Sequence, residues 1–406
     1  MLFYSIGMGY AMAGIALISQ YVGAGDREMA KKSAGQLISF LLLGALVLSG
    51  IGYLFIPQAL SMIGVPPSIY PLAVSYARII FLGIPIVFFG FAFNTVANAI
   101  GDTRTPTILN VSSAITNIIL DPIMIFGLLG FPAMGVTGAA IATVVSRSVV
   151  SIVGGFLLFK GFKGIKVGLS DLRVEKWWLR KVFSIGTPLS IQQSFNALGF
   201  TVMMSIVSRF GSTVIAAYGV VVRIINIMQA VTRGLNRATS IMVGQNIGAE
   251  KYSRAMTIAK TSVTFTSGFL VLGALLLFVF SGQAVSFFVN EQDVVAEGSK
   301  LIHAVSSSIP FFGIFFVAGA VAAGSGHTRF FAVLSTVRLW VLRIGLSILL
   351  AYIIKIGSLG VWLAMAISNI GAGAIALAWL IRGTWLRRVI EPSLKLAFKT
   401  ARPSPK

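Results

Sequence analysis

Long apolar runs, separated by short polar stretches, repeat along nearly the whole chain. Eleven of them reach the length of about 20 residues that an α-helix needs to cross a hydrocarbon core about 30 Å thick. The pattern therefore predicts an all-α polytopic membrane protein. The predicted spans are 3–22, 35–57, 72–99, 107–129, 136–159, 183–208, 213–243, 257–281, 297–323, 330–354 and 359–381.

The composition supports a bilayer environment. Hydrophobic residues make up 56% of the 406 residues and charged residues 11%, and the mean hydropathy is +0.92, whereas soluble domains contain about 25% charged residues. Cysteine is absent, which excludes disulfides and thiolate metal sites. Because the two histidines, His303 and His327, lie apart in the chain, the sequence predicts no His-based catalytic triad or zinc cluster, and we do not expect an enzyme.

The net charge of +21 is distributed over alternate connections between the predicted spans. Loops 58–71, 129–135 and 282–296 contain no Lys or Arg. This alternation follows the positive-inside rule and predicts a multi-pass protein of the plasma membrane with its basic loops and C-terminus in the cytoplasm. We expect no nucleic-acid partner, since no compact basic patch is interleaved with stacking aromatic residues. The basic connections contain Arg27, Lys31, Lys32, Arg104, Lys160, Lys163, Lys166, Arg173, Lys176, Arg180, Lys181, Lys251, Arg254, Lys260, Arg329, Arg387 and Arg388.

The two halves of the chain repeat each other at a constant offset of 225 residues. The stretch "SQYVGAGDREMA" (19–30) resembles "GQNIGAEKYSRA" (244–255), and the same offset relates Pro85 to Pro310. We therefore predict two similar helical bundles. The predicted domains are an N-terminal bundle at 1–159, a basic cytoplasmic or interfacial connector at 160–182, a C-terminal bundle at 183–388 and a basic cytoplasmic tail at 389–406.

The predicted span 183–208 has no counterpart in the first half, since the offset places its partner before Met1. We therefore expect that the chain lacks the first helix of a twelve-helix protein. Topology agrees, because a cytoplasmic loop at 23–34 would leave Met1 on the outer side with no helix to carry it there. A protein of eleven helices is the alternative.

A stripe of polar residues crosses the apolar run 107–129. Asn110, Ser113, Asn117 and Asp121 follow one another at spacings of 3, 4 and 4 residues and so share one helix face. A charge at membrane depth costs about 2.5 kcal/mol or more, which predicts that the stripe faces the bundle interior. A carboxylate with an amide oxygen one turn away suits an oxygen-liganded cation or a proton. In the alternative interpretation, the acid is neutralised by hydrogen bonds or by a basic neighbour and holds helices together.

The chain resembles the multidrug and toxic compound extrusion (MATE) family of cation-coupled antiporters in both halves. The resemblance implies two six-helix bundles in a V shape around a central cavity that opens alternately to each side. It also implies a monomer that exports amphipathic, often cationic drugs, with Na⁺ or H⁺ as coupling ion and no other cofactor. The similar stretches are "ISQYVGAGDREMAKKSAGQ" (18–36), "NAIGDTRTPTILN" (98–110), "NIILDPIMIFG" (117–127), "GVTGAAIATVVS" (135–146), "GTPLSIQQS" (186–194) and "VGQNIGAEKYSRA" (243–255).

The resemblance also implies roles for individual residues. Asn117 and Asp121 match the amino-half cation site of the archaeal and related branch, with Na⁺ as the metal if coupling uses sodium, and Thr143 is a hydroxyl neighbour. Asn94 matches a cavity-lining amide, and we include Asn110 and Gln193 in the expected substrate cavity. For Asn94 and Thr143 taken alone, a hydrogen bond between helices is the alternative. The turns "GAGDREMAKK" and "GDTRTP" are interpreted as helix caps and hinges.

Two departures from the family pattern limit what is carried over. The other amino-half carboxylate of the family lies on a first helix that this chain does not contain. The branch with carboxylates in the carboxy half expects acids near 193 and in 310–323, where this chain has Gln193 and an apolar run. The offset maps Asn117 to Leu342 and Asp121 to Leu346. We therefore expect coupling in the amino half.

Two other functions remain open at this stage. One is a flippase of the same superfamily for lipids or lipid-linked oligosaccharides, whose cavity would carry cationic residues, so that the positions of Arg223 and Arg343 would discriminate. The other is a non-transporting membrane scaffold or sensor. Arg223, Arg338 and Arg343 fall in or near predicted spans, and the pattern does not distinguish pairing across bundles from snorkelling to an interface.

Overall fold

The computed structural model describes the backbone of residues 2–391 and the side chains of residues 6–391. The predicted all-α fold is confirmed: within this part of the chain, β pairing is limited to one isolated bridge between Phe162 and Ile165. Residues 392–406 of the predicted tail lie outside the described residues. The helices are α1 Leu2–Gly23, α2 Arg27–Met62, α3 Tyr70–Ala99, α4 Arg104–Phe126, α5 Gly135–Lys160, α6 Lys176–Ser208, α7 Ser212–Gly248, α8 Tyr252–Val279, α9 Ser281–Ser286, α10 Gln292–Ser306, α11 Ile309–Ser325, α12 Thr328–Ile353 and α13 Ser358–Arg382.

Every predicted span coincides with a helix or a pair of helices, which confirms a multi-pass membrane protein. In the described chain, nine helices are long and apolar enough to cross a bilayer, and the bent pair α10 and α11 adds a tenth candidate. The remaining predicted span, 183–208, falls in α6, which is not among these candidates. That helix begins with a basic segment and carries Gln192 and Gln193 in its middle, which lowers its hydropathy.

The predicted span 297–323 is not one straight helix. The structure divides this region into α10 and α11, whose axes differ by 60°. Pro310 lies in the first turn of α11, where it has no N–H for a helical hydrogen bond. The hydroxyls of Ser306 and Ser308 donate to the carbonyls of Ile302 and Val305, at 2.6 and 2.7 Å. These local bonds accompany the break between the two helices.

Helix α12 departs from regular α geometry in two places. Residues Val337–Gly345 and Leu349–Ile353 are π-helical. A π-helix bonds residues i and i+5 and so brings side chains five positions apart closer to one face than an α-helix does. Arg338 and Arg343 have this spacing, and both are buried.

The chain forms two compact units. Among the described residues, the amino unit comprises 10–184 with Glu391, and the carboxy unit comprises 2–9 with 185–390. In the amino unit, α3 packs against α2 and α5, and α4 packs against α5; in the carboxy unit, α11 packs against α7, α8 and α13. The connector packs on α2 through a short 3₁₀ turn, Leu169–Leu172, where buried Asp171 forms an ion pair with Lys31 at 3.4 Å.

The predicted helix caps are confirmed at two aspartates of the amino unit. Asp26 Oδ1 accepts from the Met29 N–H at 3.1 Å and caps α2. Asp102 accepts from the N–H groups of Arg104 and Thr105, at 2.9 and 3.0 Å, at the start of α4. Burial raises the pKa of Asp102, but the hydrogen bonds from Thr105 and Arg104 together with the Lys163 charge outweigh it and lower the pKa below its usual value.

Asp102→Ala is expected to destabilise the protein by about 1 kcal/mol, because α4 loses its cap. The free energy of unfolding in mixed micelles measures this change, and Asp102→Asn, which keeps one acceptor oxygen, should cost less. A lowered pKa means that the contribution of the ionised cap is present above the pKa of the unfolded carboxyl and is lost as the pH falls through the folded value. A cost of Asp102→Ala that does not shrink at acid pH would contradict this account.

Candidate functional site

The polar stripe of α4 carries a hydrogen-bonded carboxylate and amide inside an apolar helix. Asn117 Nδ2 donates to Asp121 Oδ1 at 3.1 Å, and both side chains are half-buried. Among the described contacts, this bond uses neither Asp121 Oδ2 nor the side-chain carbonyl oxygen of Asn117, and both can accept a further hydrogen bond or bind a cation. Pro122, one residue further on, has no N–H for the carbonyl of Ile118. Several oxygen atoms are thus available on one turn of the helix.

The other end of the stripe joins α4 to its neighbours. Asn110 Nδ2 donates to Asn94 Oδ1 of α3 at 3.0 Å, and the buried Ser113 hydroxyl donates to the Ser146 carbonyl of α5 at 2.7 Å. Here the stripe faces the interior of the amino unit, as its spacing predicts. The apolar positions between its members point outward, with Ile118 72% exposed.

The structure brings some of the predicted site residues together and separates others. Asn94 and Asn110 form a bond between helices, which was the alternative interpretation for Asn94. The Thr143 hydroxyl donates to the Ala139 carbonyl of its own helix at 2.9 Å, and no hydrogen bond joins it to Asp121 or Asn117 in the described part of the chain. Gln193 lies half-buried on α6 in the carboxy unit, whereas the other predicted site residues lie in the amino unit.

Two glycines fix the geometry around Asp121. A Cβ atom at Gly138 of α5 would collide with the backbone carbonyl of Met124 on α4, so the close approach of these helices requires glycine. Gly127 adopts a left-handed conformation, with φ of 73°, and ends α4 one and a half turns after Asp121. The local sequence thereby sets both the end of α4 and its contact with α5.

The chemistry of this donor set is that of hard oxygen ligands. Across the described residues, no three His, Asp or Glu side chains form a group that could hold a metal ion. Asp121 instead offers one carboxylate beside neutral oxygens. Such a set can bind an alkali cation through oxygen or carry a proton on the carboxylate.

Sequence reasoning missed a cluster in the carboxy unit. Arg338 Nη1 and Arg343 Nη2 both donate to Asn369 Oδ1, at 3.2 and 2.6 Å, and Arg343 Nε donates to Ser368 Oγ at 3.2 Å. Both arginines are buried and bond to α13 of their own unit, so neither snorkels to an interface. Arg223, in contrast, is exposed on α7 and lies over the Phe288 ring at 5.9 Å.

Sequence reasoning also missed a carboxylate of the carboxy unit, because this residue is the first of a predicted span. Glu297 of α10 has a side chain only 12% exposed. Its Oε1 accepts from Ser358 Oγ at 2.5 Å and from Trp362 Nε1 at 3.1 Å, and Oε2 forms an ion pair with Lys300 at 3.3 Å. These partners tie α10 to α13 and satisfy the carboxylate locally.

Comparisons with known proteins assign the chain to a family. The MatE family matches residues 1–123 and 188–349. The "Probable multidrug resistance protein YoeA" of Bacillus subtilis is 30% identical over 88% of this chain and 78% of its own length. The "FAD transporter" of Shewanella oneidensis is 28% identical over 96% of this chain and 84% of its own.

A solved structure shows the same fold. A crystal structure of MATE in the bent conformation superposes with a TM-score of 0.89 at 21% identity, covering 95% of this chain and 85% of that one. The family match covers well over half of this chain, and the fold agrees with it. The chain therefore belongs to the MATE family of membrane transporters.

Proposed function

We propose that the protein exports amphipathic, often cationic small molecules by alternating access, in exchange for Na⁺ or H⁺ bound at Asp121 and Asn117. The observation that carries the proposal is the hydrogen-bonded pair of these two side chains inside the apolar helix α4. The relative named a probable multidrug resistance protein supports the substrate class. The charge pattern supports a plasma-membrane location with cytoplasmic basic loops.

The coupling ion acts through the charge of Asp121. A bound proton or Na⁺ neutralises the carboxylate, which lowers the cost of keeping it away from water. Exchange requires that ion and substrate stabilise different conformations, because a ligand shifts an equilibrium only by its difference in affinity for the two states. Since the Thr143 hydroxyl donates its hydrogen bond to the Ala139 carbonyl, the lone pairs of its oxygen are available to make it a third oxygen ligand of Na⁺.

The experiment that tests this function is efflux of a cationic dye from proteoliposomes that contain the chain as it stands. A Na⁺ gradient is imposed at constant pH, and a pH gradient is imposed at constant Na⁺. We expect one of the two gradients to drive dye movement beyond that of protein-free liposomes, and that gradient identifies the coupling ion. If the protein is shown to be folded and the rate of dye movement does not change with either gradient, coupled exchange is contradicted.

A second candidate substrate class comes from the relative named as an FAD transporter, which aligns with 96% of this chain. FAD is an anionic molecule with a pyrophosphate group, unlike the cationic dyes. The same vesicles, loaded with FAD in place of the dye, compare the two classes directly. Gradient-driven FAD movement without dye movement would favour export of anionic dinucleotides.

A further inference from the structure

Two positive charges are buried in the carboxy unit without an acidic partner. Arg338 and Arg343 are 6% and 8% exposed. Neither guanidinium group forms an ion pair in the described chain, where all eleven acidic residues lie. An arginine remains charged in a protein, and burying an ion without a partner of opposite charge is strongly unfavourable. The cluster therefore requires compensation from outside the carboxylates of this chain.

The neutral partners use only part of the donor capacity of the two side chains. Each guanidinium group has five N–H donors, of which Arg338 uses one and Arg343 two in the bonds to Asn369 and Ser368. Arg338 Nε is buried with no hydrogen-bond partner. The single oxygen Asn369 Oδ1 lies 3.2 and 2.6 Å from nitrogens of the two groups. One small oxyanion can thus contact both arginines at once.

The backbone around the cluster is irregular. Both arginines lie on the π-helical stretch of α12, and Asn369 Nδ2 donates to Ser308 Oγ at the break between α10 and α11, at 3.3 Å. Helix irregularities of this kind occur frequently at functional sites. At membrane depth, irregular backbone is tolerated where it is buried in protein or lines a cavity. The cluster therefore joins a π-helical stretch to a helix break within the carboxy unit.

An apolar wall adjoins the charges. The Arg338 guanidinium lies 5.0 Å from the ring centre of Phe312 and 4.7 Å from that of Phe315, both on α11. These rings contribute a cation–π interaction but no countercharge. Phe315 is buried in the core, whereas Phe312 is half-buried, so a ligand with both an oxyanion and an apolar part would match the arginines and the Phe312 ring.

We propose that Arg338 and Arg343 form an oxyanion-binding site, which takes the phosphate or carboxylate group of a ligand whose apolar part packs against Phe312. Guanidinium groups suit such ligands because their paired N–H donors match the oxygens of a carboxylate or phosphate. The site goes beyond the proposed coupling at Asp121, which lies in the other unit. It is tested by binding without any gradient, so its failure is distinguishable from failure of coupled efflux.

The test measures equilibrium binding of radiolabelled dodecyl phosphate to the full chain in phosphatidylcholine nanodiscs. We expect saturable binding that Arg338→Gln and Arg343→Gln each weaken roughly tenfold or more, because each loses charge-assisted hydrogen bonds. Arg223→Gln is the matched control, since it removes the same charge from an exposed position of the same unit. We expect it to change the affinity less than about twofold.

A second variant keeps the test decisive if the glutamine variants fail to fold. Asn369→Asp places a carboxylate at the shared acceptor and supplies the countercharge internally. It should fold at least as stably as the wild type and bind dodecyl phosphate roughly tenfold more weakly. Unchanged affinity in folded Asn369→Asp, or no saturable binding to the wild type, would overturn the proposal.

Two competition arms identify the source of the oxyanion. Displacement of dodecyl phosphate by excess inorganic phosphate supports a site for a soluble phosphate group. Displacement by phosphatidylglycerol in the nanodiscs, with no effect of inorganic phosphate, supports a site for a lipid headgroup. Dodecyl phosphate that still binds to Arg338→Gln should be displaced by neither competitor. If a competitor displaces it from this variant as it does from the wild type, the binding site is not the arginine pair.

Discussion

Replacing Asp121 with asparagine is expected to reduce the gradient-driven rate of dye efflux roughly tenfold or more. The change is nearly isosteric, and the asparagine oxygen can still accept the hydrogen bond from Asn117 Nδ2. The variant lacks the negative charge of the carboxylate, and a neutral amide at this position binds neither a proton nor a cation. Coupling free energies between sites are typically about 1–3 kcal/mol, so the gradient dependence should fall roughly tenfold or more.

The matched control is Asp293→Asn, which makes the same chemical change at an exposed position in the first turn of α10. Its efflux rate and gradient dependence should equal those of the wild type. Circular dichroism in detergent should show that both variants keep their helices. If Asp121→Asn retains its gradient dependence, the carboxylate holds helices together, as in the structural interpretation of the stripe, and coupling resides elsewhere.

The features that the sequence predicts correctly are those that depend on local spacing. Apolar runs of membrane length give the positions of the helices, because the bilayer thickness sets the required length. The 3, 4 and 4 spacing of the stripe places Asn110 and Ser113 toward neighbouring helices, since 3.6 residues make a turn. Asp26 and Asp102 follow turn glycines and precede helices, which is the pattern of a capping residue.

The helix break before Pro310 has no counterpart at the repeat-related proline of the first half. Pro85, the corresponding residue of the first half, lies inside the continuous helix α3. The difference lies in the residues before each proline. Three serines, 306–308, precede Pro310 closely, and two of their hydroxyls bond to backbone carbonyls at the break, whereas apolar residues and Gly83 occupy the equivalent positions. A proline alone therefore does not distinguish a bent from a continuous transmembrane helix.

The arginine cluster was missed for a different reason. Residues five apart point in different directions on an α-helix, so the spacing of Arg338 and Arg343 predicts no common site. The π-helical stretch changes that relation and brings both groups to Asn369 of α13. Neither the π stretch nor the partner helix has a signature in the local sequence, because both depend on packing between helices that are distant in the chain.

Asn369→Leu is expected to destabilise the carboxy unit by roughly 3 kcal/mol or more. Leucine has the same number of side-chain heavy atoms as asparagine and a similar branching, so no cavity is left and the cost arises from the lost hydrogen bonds. Asn369 accepts from both arginines and donates to Ser308, and a hydrogen bond to a charged group contributes about 1.5–3 kcal/mol. Leucine would leave two buried guanidinium groups facing an apolar side chain. Unfolding by SDS in mixed micelles measures the loss.

Two control variants separate the shared acceptor from general effects of substitution in a transmembrane helix. Ser368→Ala removes one hydrogen bond of Arg343 and should cost about 1.5–3 kcal/mol, the contribution of a single bond to a charged group, because Asn369 still accepts hydrogen bonds from both arginines. Asn226→Leu makes the same exchange at an exposed position of α7 and should change stability by less than about 0.5 kcal/mol. If Asn369→Leu lowers the free energy of unfolding by no more than Ser368→Ala does, the arginines bind other partners in the absence of Asn369. The buried charges would then be compensated by groups other than the amide, and the cluster would not depend on its shared oxygen.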